Sequence, residues 1–130
     1  MQLKQIARDA LLKPLQAVSG IVERRHTLPI LANVLLEQRE GRLYVTATDL
    51  EMQITAHSEL AGKDGQATTV GARKLQDLLR ALPDDAALNI DVGNSKMTVR
   101  AGRSRFNLQT LAANDYPRIS IGTDQLQTLS

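Results

Sequence analysis

TLPILANVLLEQREGRLYVTATDLEMQI, residues 27–54, decides the fold. Apolar and polar residues alternate along Leu31–Gln38, Leu43–Thr48 and Met52–Ser58, the period of strands with one face on a core. Between the first two runs stands Glu40-Gly41, a pair suited to the positive φ angles of a tight hairpin. The stretch therefore predicts three consecutive antiparallel strands.

The same pattern continues on either side. Leu3–Ala7 precedes it, and Gln66–Val70, Leu88–Val92, Met97–Arg100 and Arg105–Leu111 follow, with Gly93-Asn94-Ser95 as a second hairpin turn. Two segments break the alternation. In Asp9–Val22, Leu11, Leu15, Val18 and Val22 recur every three or four residues behind an Asp9 cap and predict a helix. Pro14 lacks an N–H and is harmless only in a first turn, so the regular helix is expected to begin nearer Leu11 than Ala10. In Ala72–Leu82, Leu75, Leu78, Leu79 and Leu82 form a second apolar stripe, and Pro83 ends it.

The order strand, helix, three strands thus occurs twice, which is an internal repeat. Leu15-Gln16 and Leu75-Gln76 echo each other sixty residues apart. After Leu111, AANDYPRISIGTD reads as a linker, and alternation resumes at Gln125–Ser130. One α+β unit is expected over residues 1–122, with 123–130 a linker and the first strand of a truncated second domain.

At 130 residues the chain can bury one core. Its 42% hydrophobic and 23% charged residues suit a folded soluble domain rather than a disordered one. Cysteine is absent, so no disulfide framework or thiolate metal site is available. Charges interrupt every apolar window of the N-terminus, which fits neither a signal peptide nor a membrane span. A cytoplasmic location is the expectation.

A net charge of +2 does not by itself point to a polyanion, so the distribution of charge must. Projecting the second helix at about 100° per residue sets Arg73, Gln76, Asp77 and Arg80 opposite its leucines. The first helix turns Lys13, Gln16, Ala17 and Gly20 outward, and its ridge runs on into Glu23-Arg24-Arg25-His26. If both helices line one concave side, these residues form a positive surface able to sit near phosphates. The same residues also fit ordinary solvated helix faces.

Missing residue types narrow the choice. With aromatics at 2% of the chain, there is no stacking platform for single strands, and no helix carries a base-reading array. Any nucleic acid partner should be duplex held by its backbone. Asp49 and Glu51 have the spacing of a metal-binding or acid/base pair, but Thr48-Asp49-Leu50-Glu51 reads better as a turn. Asp84-Asp85 fits a helix exit, and His26 and His57 have neither zinc spacing nor a nucleophile beside them. No enzyme activity, cofactor or metal is expected.

LLKPLQAVSG, TLPILANVLLE, LYVTATDLEMQI, ATTVGARKLQDLLRALP and VRAGRSRFNLQTLAANDYP occur in this order. Together they resemble the first domain of the bacterial DNA polymerase III β subunit, the replicative sliding clamp, in register from about Leu11 to Pro117. The resemblance implies a DNA-clamp fold of two strand-helix-three-strand halves related by pseudo-symmetry, with both helices on the concave, DNA-facing side. It further implies a processivity factor without catalysis of its own: three such domains per chain, two chains closed head to tail as a dimeric ring, sliding on duplex DNA without regard to sequence. DNA polymerase III and the clamp loader would bind through later domains.

Carried over residue by residue, the resemblance assigns phosphate contact to Arg24, Arg25, Arg73 and Arg80, and also to Lys13. His26 stands where relatives have proline. The resemblance places Lys74, Lys96, Arg103, Arg105, Phe106 and Leu108 at the contact with the other subunit, the cations facing acids and Phe106 and Leu108 filling an apolar contact. The residues themselves agree in part, since Arg103-Ser104-Arg105-Phe106-Asn107-Leu108 reads as an edge strand guarded by charge. The alternative from another class is an α+β protein-interaction module with no role on nucleic acid; a third option is a nuclease using Asp49 and Glu51.

Overall fold

The computed structural model of the chain describes residues 2–22, 29–49, 52–60, 65–93 and 95–117. In order they form β1 (Gln2–Ala7), α1 (Arg8–Val22), a 3-10 turn at Pro29–Ala32, β2 (Asn33–Arg39), β3 (Arg42–Thr48) and β4 (Gln53–Glu59). Then come β5 (Gln66–Gly71), α2 (Ala72–Arg80), β6 (Ala87–Gly93), β7 (Lys96–Ala101), β8 (Ser104–Leu111) and a 3-10 turn at Ala113–Asp115. Each expected strand of residues 1–122 is present, although Leu31 and Ala32, expected in the second of them, lie in the 3-10 turn, and both helices lie where the three- and four-residue spacing put them.

The sheet runs β1-β6-β7-β8-β5-β2-β3-β4 and its described pairs are all antiparallel. Exchanging the two halves of the chain reproduces this order displaced by four strands, so the repeat is structural. Each half lends its first strand to the other: β1 pairs with β6, and β5 with β2. The halves meet along β8 and β5 only at Val70–Thr110 and Thr69–Leu111.

The repeat is spaced differently from the dipeptide echo. α2 begins 64 residues after α1, at Ala72 against Arg8, which superposes Leu11 on Leu75 and Leu15 on Leu79; all four are fully buried. β6 begins 54 residues after β2, at Ala87 against Asn33. The first half therefore carries a longer helix and connection, and the sixty-residue echo is coincidental.

One apolar cluster joins both helices to the sheet, with Leu11, Leu15 and Val18 of α1 and Leu75 and Leu79 of α2 against Val34, Leu36, Val45, Leu88, Ile90, Met97 and Val99. Burying each such side chain contributes about 1.5–3 kcal/mol. The helices pack side by side as well as on the strands. Leu31, Leu35 and Tyr116 are also buried, outside that cluster. The Tyr116 hydroxyl accepts the Thr48 backbone N–H at 3.1 Å and donates to the Thr46 carbonyl at 3.4 Å. These two bonds fasten the segment after β8 to β3.

Several local expectations change. α1 starts at Arg8 and keeps Pro14 inside it, because the Ser58 hydroxyl donates to the Ala10 carbonyl, the acceptor that a residue-14 N–H would otherwise fill. Asp9 lies within the first turn and binds Arg8 at 3.0 Å instead of capping the helix. α2 ends at Arg80; Ala81 is still in the right-handed helical region and bonds back to Asp77 and Leu78. Glu40 and Gly41 take positive φ as expected, whereas in the second hairpin the described residue with positive φ is Ser95 and not Gly93.

Candidate nucleic-acid interface

On α1, Lys13, Gln16, Ala17 and Gly20 are exposed, opposite the stripe of Leu11, Leu15 and Val18. Leu12 and Pro14 widen the covered side. A Cβ added at Gly20 would meet nothing within 4 Å, so this ridge is low and open to close approach. On α2, Arg73, Lys74, Asp77 and Arg80 are exposed, but Gln76 is buried. α2 is covered by its neighbour helix as well as by the sheet, which widens its buried arc beyond the leucine stripe to Ala72 and Gln76.

The packing of α1 beside α2 brings Lys13, Arg73 and Arg80 onto the helical layer of the molecule. Asp77 stands four residues after Arg73 and three before Arg80, close enough on a helix to temper both charges. Among the described residues, none of the three cations forms an ion pair. The surface can attract phosphates through diffuse charge and, among the described residues, offers no array for reading bases. Arg24, Arg25 and His26 lie outside the described residues.

The second group of expected residues gathers on the β7–β8 hairpin. β5 continues the ladder beside β8 only at Thr110 and Leu111, so among the described residues the edge from Ser104 to Gln109 has no strand partner on that side. With Val99–Phe106 and Met97–Leu108 facing each other across the hairpin, Phe106 and Leu108 point toward the core and pack on it, half-buried. Lys96, Arg103 and Arg105 are exposed around them. Lys74 joins this group through an open cleft between α2 and the end of β8, lined in part by Arg73, Lys74, Asp77, Ser95 and Leu108.

Sequence reasoning missed Arg100. It is exposed and sits directly across the ladder from Arg105, a like-charge cross-strand pair that costs stability by itself. The hairpin register, fixed by the Gly102 turn with φ of +58°, is the signal that would have found it. Among the described residues no ion pair compensates the positive charge of this edge, and an acidic partner would relieve it.

The carboxylates do not assemble a reaction site among the described residues. Asp49 accepts the Met52 N–H through Oδ1 at 2.9 Å while its own N–H bonds the Met52 carbonyl at 3.3 Å, which is turn chemistry. Glu51 lies outside the described residues. Asp84 pairs with Arg8 at 2.9 Å. His57 leans on the Tyr44 ring, centroids 5.4 Å apart, and Arg39 lies 4.3 Å over the same ring. No group of three histidine, aspartate or glutamate side chains able to hold a metal occurs among the described residues, and no described helix is long and apolar enough to cross a membrane.

A family model described as DNA polymerase III beta subunit, N-terminal domain, matches residues 1–120. The beta sliding clamp of Pseudomonas putida is 50% identical over 123 residues, 93% of this chain and 33% of that protein. That of Proteus mirabilis is 48% identical over 115 residues, 88% of this chain and 31% of that protein. Among solved structures, a DnaN sliding clamp (DNA polymerase III subunit beta) from Pseudomonas aeruginosa bound to griselimycin matches with a TM-score of 0.85 at 48% identity, covering 94% of this chain and 33% of that one. Caulobacter crescentus pol III beta matches with a TM-score of 0.85 at 41% identity, covering 93% and 32%. The chain spans about one third of the length of the curated relatives it matches.

Proposed function

This chain belongs to the DNA polymerase III beta subunit family, and from that premise we propose that it forms the first unit of a ring-shaped processivity factor that encircles duplex DNA and slides on it. The observation that carries this reading is the pairing of α1 and α2 in one layer with Lys13, Arg73 and Arg80 exposed. Arg24 and Arg25 also contact phosphates in this proposal. Sliding needs weak, sequence-blind attraction, and a few cations aimed at phosphates supply it without base readout.

The ring closes, in this reading, where the open edge of β8 meets the other copy of the full-length protein in a homodimer. Phe106 and Leu108 fill the apolar contact, and Lys74, Lys96, Arg103 and Arg105 face acids there. The unit itself spans residues 1–122, with 123–130 leading into a following domain. The polymerase and the clamp loader engage later domains, the factor catalyses nothing itself, and it works in the cytoplasm.

Retention of the full-length protein on nicked circular duplex tests the proposal. Loaded protein should stay on the circle and be released when the circle is cut to a linear form; equal retention on both would rule out encirclement.

A further inference from the structure

Arg8 opens α1, yet its side chain serves the far end of α2. The side chain, only 12% exposed, donates through Nη1 to the Leu82 carbonyl at 3.0 Å and through Nη2 to Asp84 at 2.9 Å. Asp9 holds the other side of the fork, at 3.2 Å from Nε and 3.0 Å from Nη2. The Arg8 backbone N–H adds a bond to the Ala86 carbonyl at 3.2 Å. One residue of the first half therefore grips the exit of α2 at Leu82, Asp84 and Ala86.

These interactions differ in weight. The Asp84 side chain is 93% exposed, so its ion pair is screened and adds little. The Leu82 carbonyl follows the last turn of α2, where backbone acceptors lack helical partners and the helix dipole is negative, so a cationic donor is well matched to it. α2 already closes its own end through Ala81 and Leu82, which bond back to Asp77, Leu78 and Leu79. What the Arg8 bond adds is placement of that end against the start of α1. Arg80 is the exposed cation of this last turn, two residues before Leu82.

We infer that Arg8 is a positioning residue for the duplex-facing surface: it fixes the end of α2 so that Arg80 is presented together with Lys13 and Arg73. The inference rests on the proposed duplex contact of that surface. Arg8 acts through Arg80, because its own side chain is largely covered and its guanidinium is occupied.

Equilibrium binding of a short duplex by the full-length protein, measured across a sodium chloride series well below the unfolding temperature, tests this. The slope of log K against log salt falls in magnitude by about 0.9 for every phosphate that is no longer neutralised. Arg8→Met and Arg80→Ala should each lower it by about that amount, and the double variant by no more than either. If the double variant falls by about 0.9 more than the single ones, or if Arg80→Ala lowers the slope and Arg8→Met does not, the positioning role is overturned. If Arg80→Ala leaves the slope unchanged, the duplex reading of the surface fails and the inference falls with it. Should Arg8→Met not fold, Arg8→Gln, too short for the same bond, is read in the same way.

Discussion

The Ser58 hydroxyl of β4 donates to the Ala10 carbonyl of α1, the acceptor left open because Pro14 has no N–H to give it. A helix with proline at its seventh position is thereby completed from outside by a neighbouring strand. Ser58→Ala should destabilise the protein by about 1 kcal/mol, the usual net worth of one such bond. In a Pro14→Ala background, where residue 14 can donate to Ala10 itself, the same change should cost clearly less. Denaturant melts of the four proteins measure that coupling, and equal costs in both backgrounds would show that Ser58 does not substitute for the missing N–H.

Tyr116 gives a pH signature. Burial pushes its hydroxyl up to about 12 against the bond it accepts from the Thr48 N–H, which pulls the other way. The folded value lies above the ordinary value of 10.0, so the neutral phenol favours the folded state. That contribution is complete below pH 10 and disappears as pH rises toward 12. The stability difference between the parent and Tyr116→Phe, followed by thermal melts, should shift steadily against the parent across this window; a constant difference would contradict the burial of an ionisable hydroxyl there.

Arg73 and Arg80 are exposed and contribute nothing to the core. Arg73→Ala with Arg80→Ala should weaken duplex binding and lower its salt slope by about 0.9 for each phosphate left without its cation, with the melting temperature unchanged. Unaltered binding across the salt series would remove both residues from the interface.

Phe106 and Leu108 pack half-buried on the core of their own domain, so Phe106→Ala in the full-length protein should loosen the dimer and also lower domain stability. Arg105→Glu separates the two effects. Arg105 is exposed opposite Arg100, so reversing its charge relieves a like-charge pair within the domain while repelling acids across the interface. Sedimentation should show a weaker dimer with no loss of thermal stability, and a dimer of parental strength would take the β8 edge out of ring closure.

Much of the fold was written in short-range pattern. Alternation in residues 31–58 gave three strands, and leucines three and four apart gave both helices, because these periods record which side of each element meets the core. The twofold order of elements followed from the same reading. The charge guarding β8 was visible in Arg103 and Arg105, since both stand in one short segment.

Relations between distant segments were decided only by the tertiary structure. Nothing local tells that β1 and β5 change places between the halves, that Gln76 is covered, or that Arg100 faces Arg105. The acceptor that Pro14 leaves open in α1 is met by a hydroxyl 48 residues away from Ala10, and the end of α2 is tied to the start of α1 by a guanidinium 74 residues before Leu82. Periodicity specifies which face of an element is apolar, but hydrogen bonds that repair a helix or tie two helices together need partners that only the completed packing brings within reach.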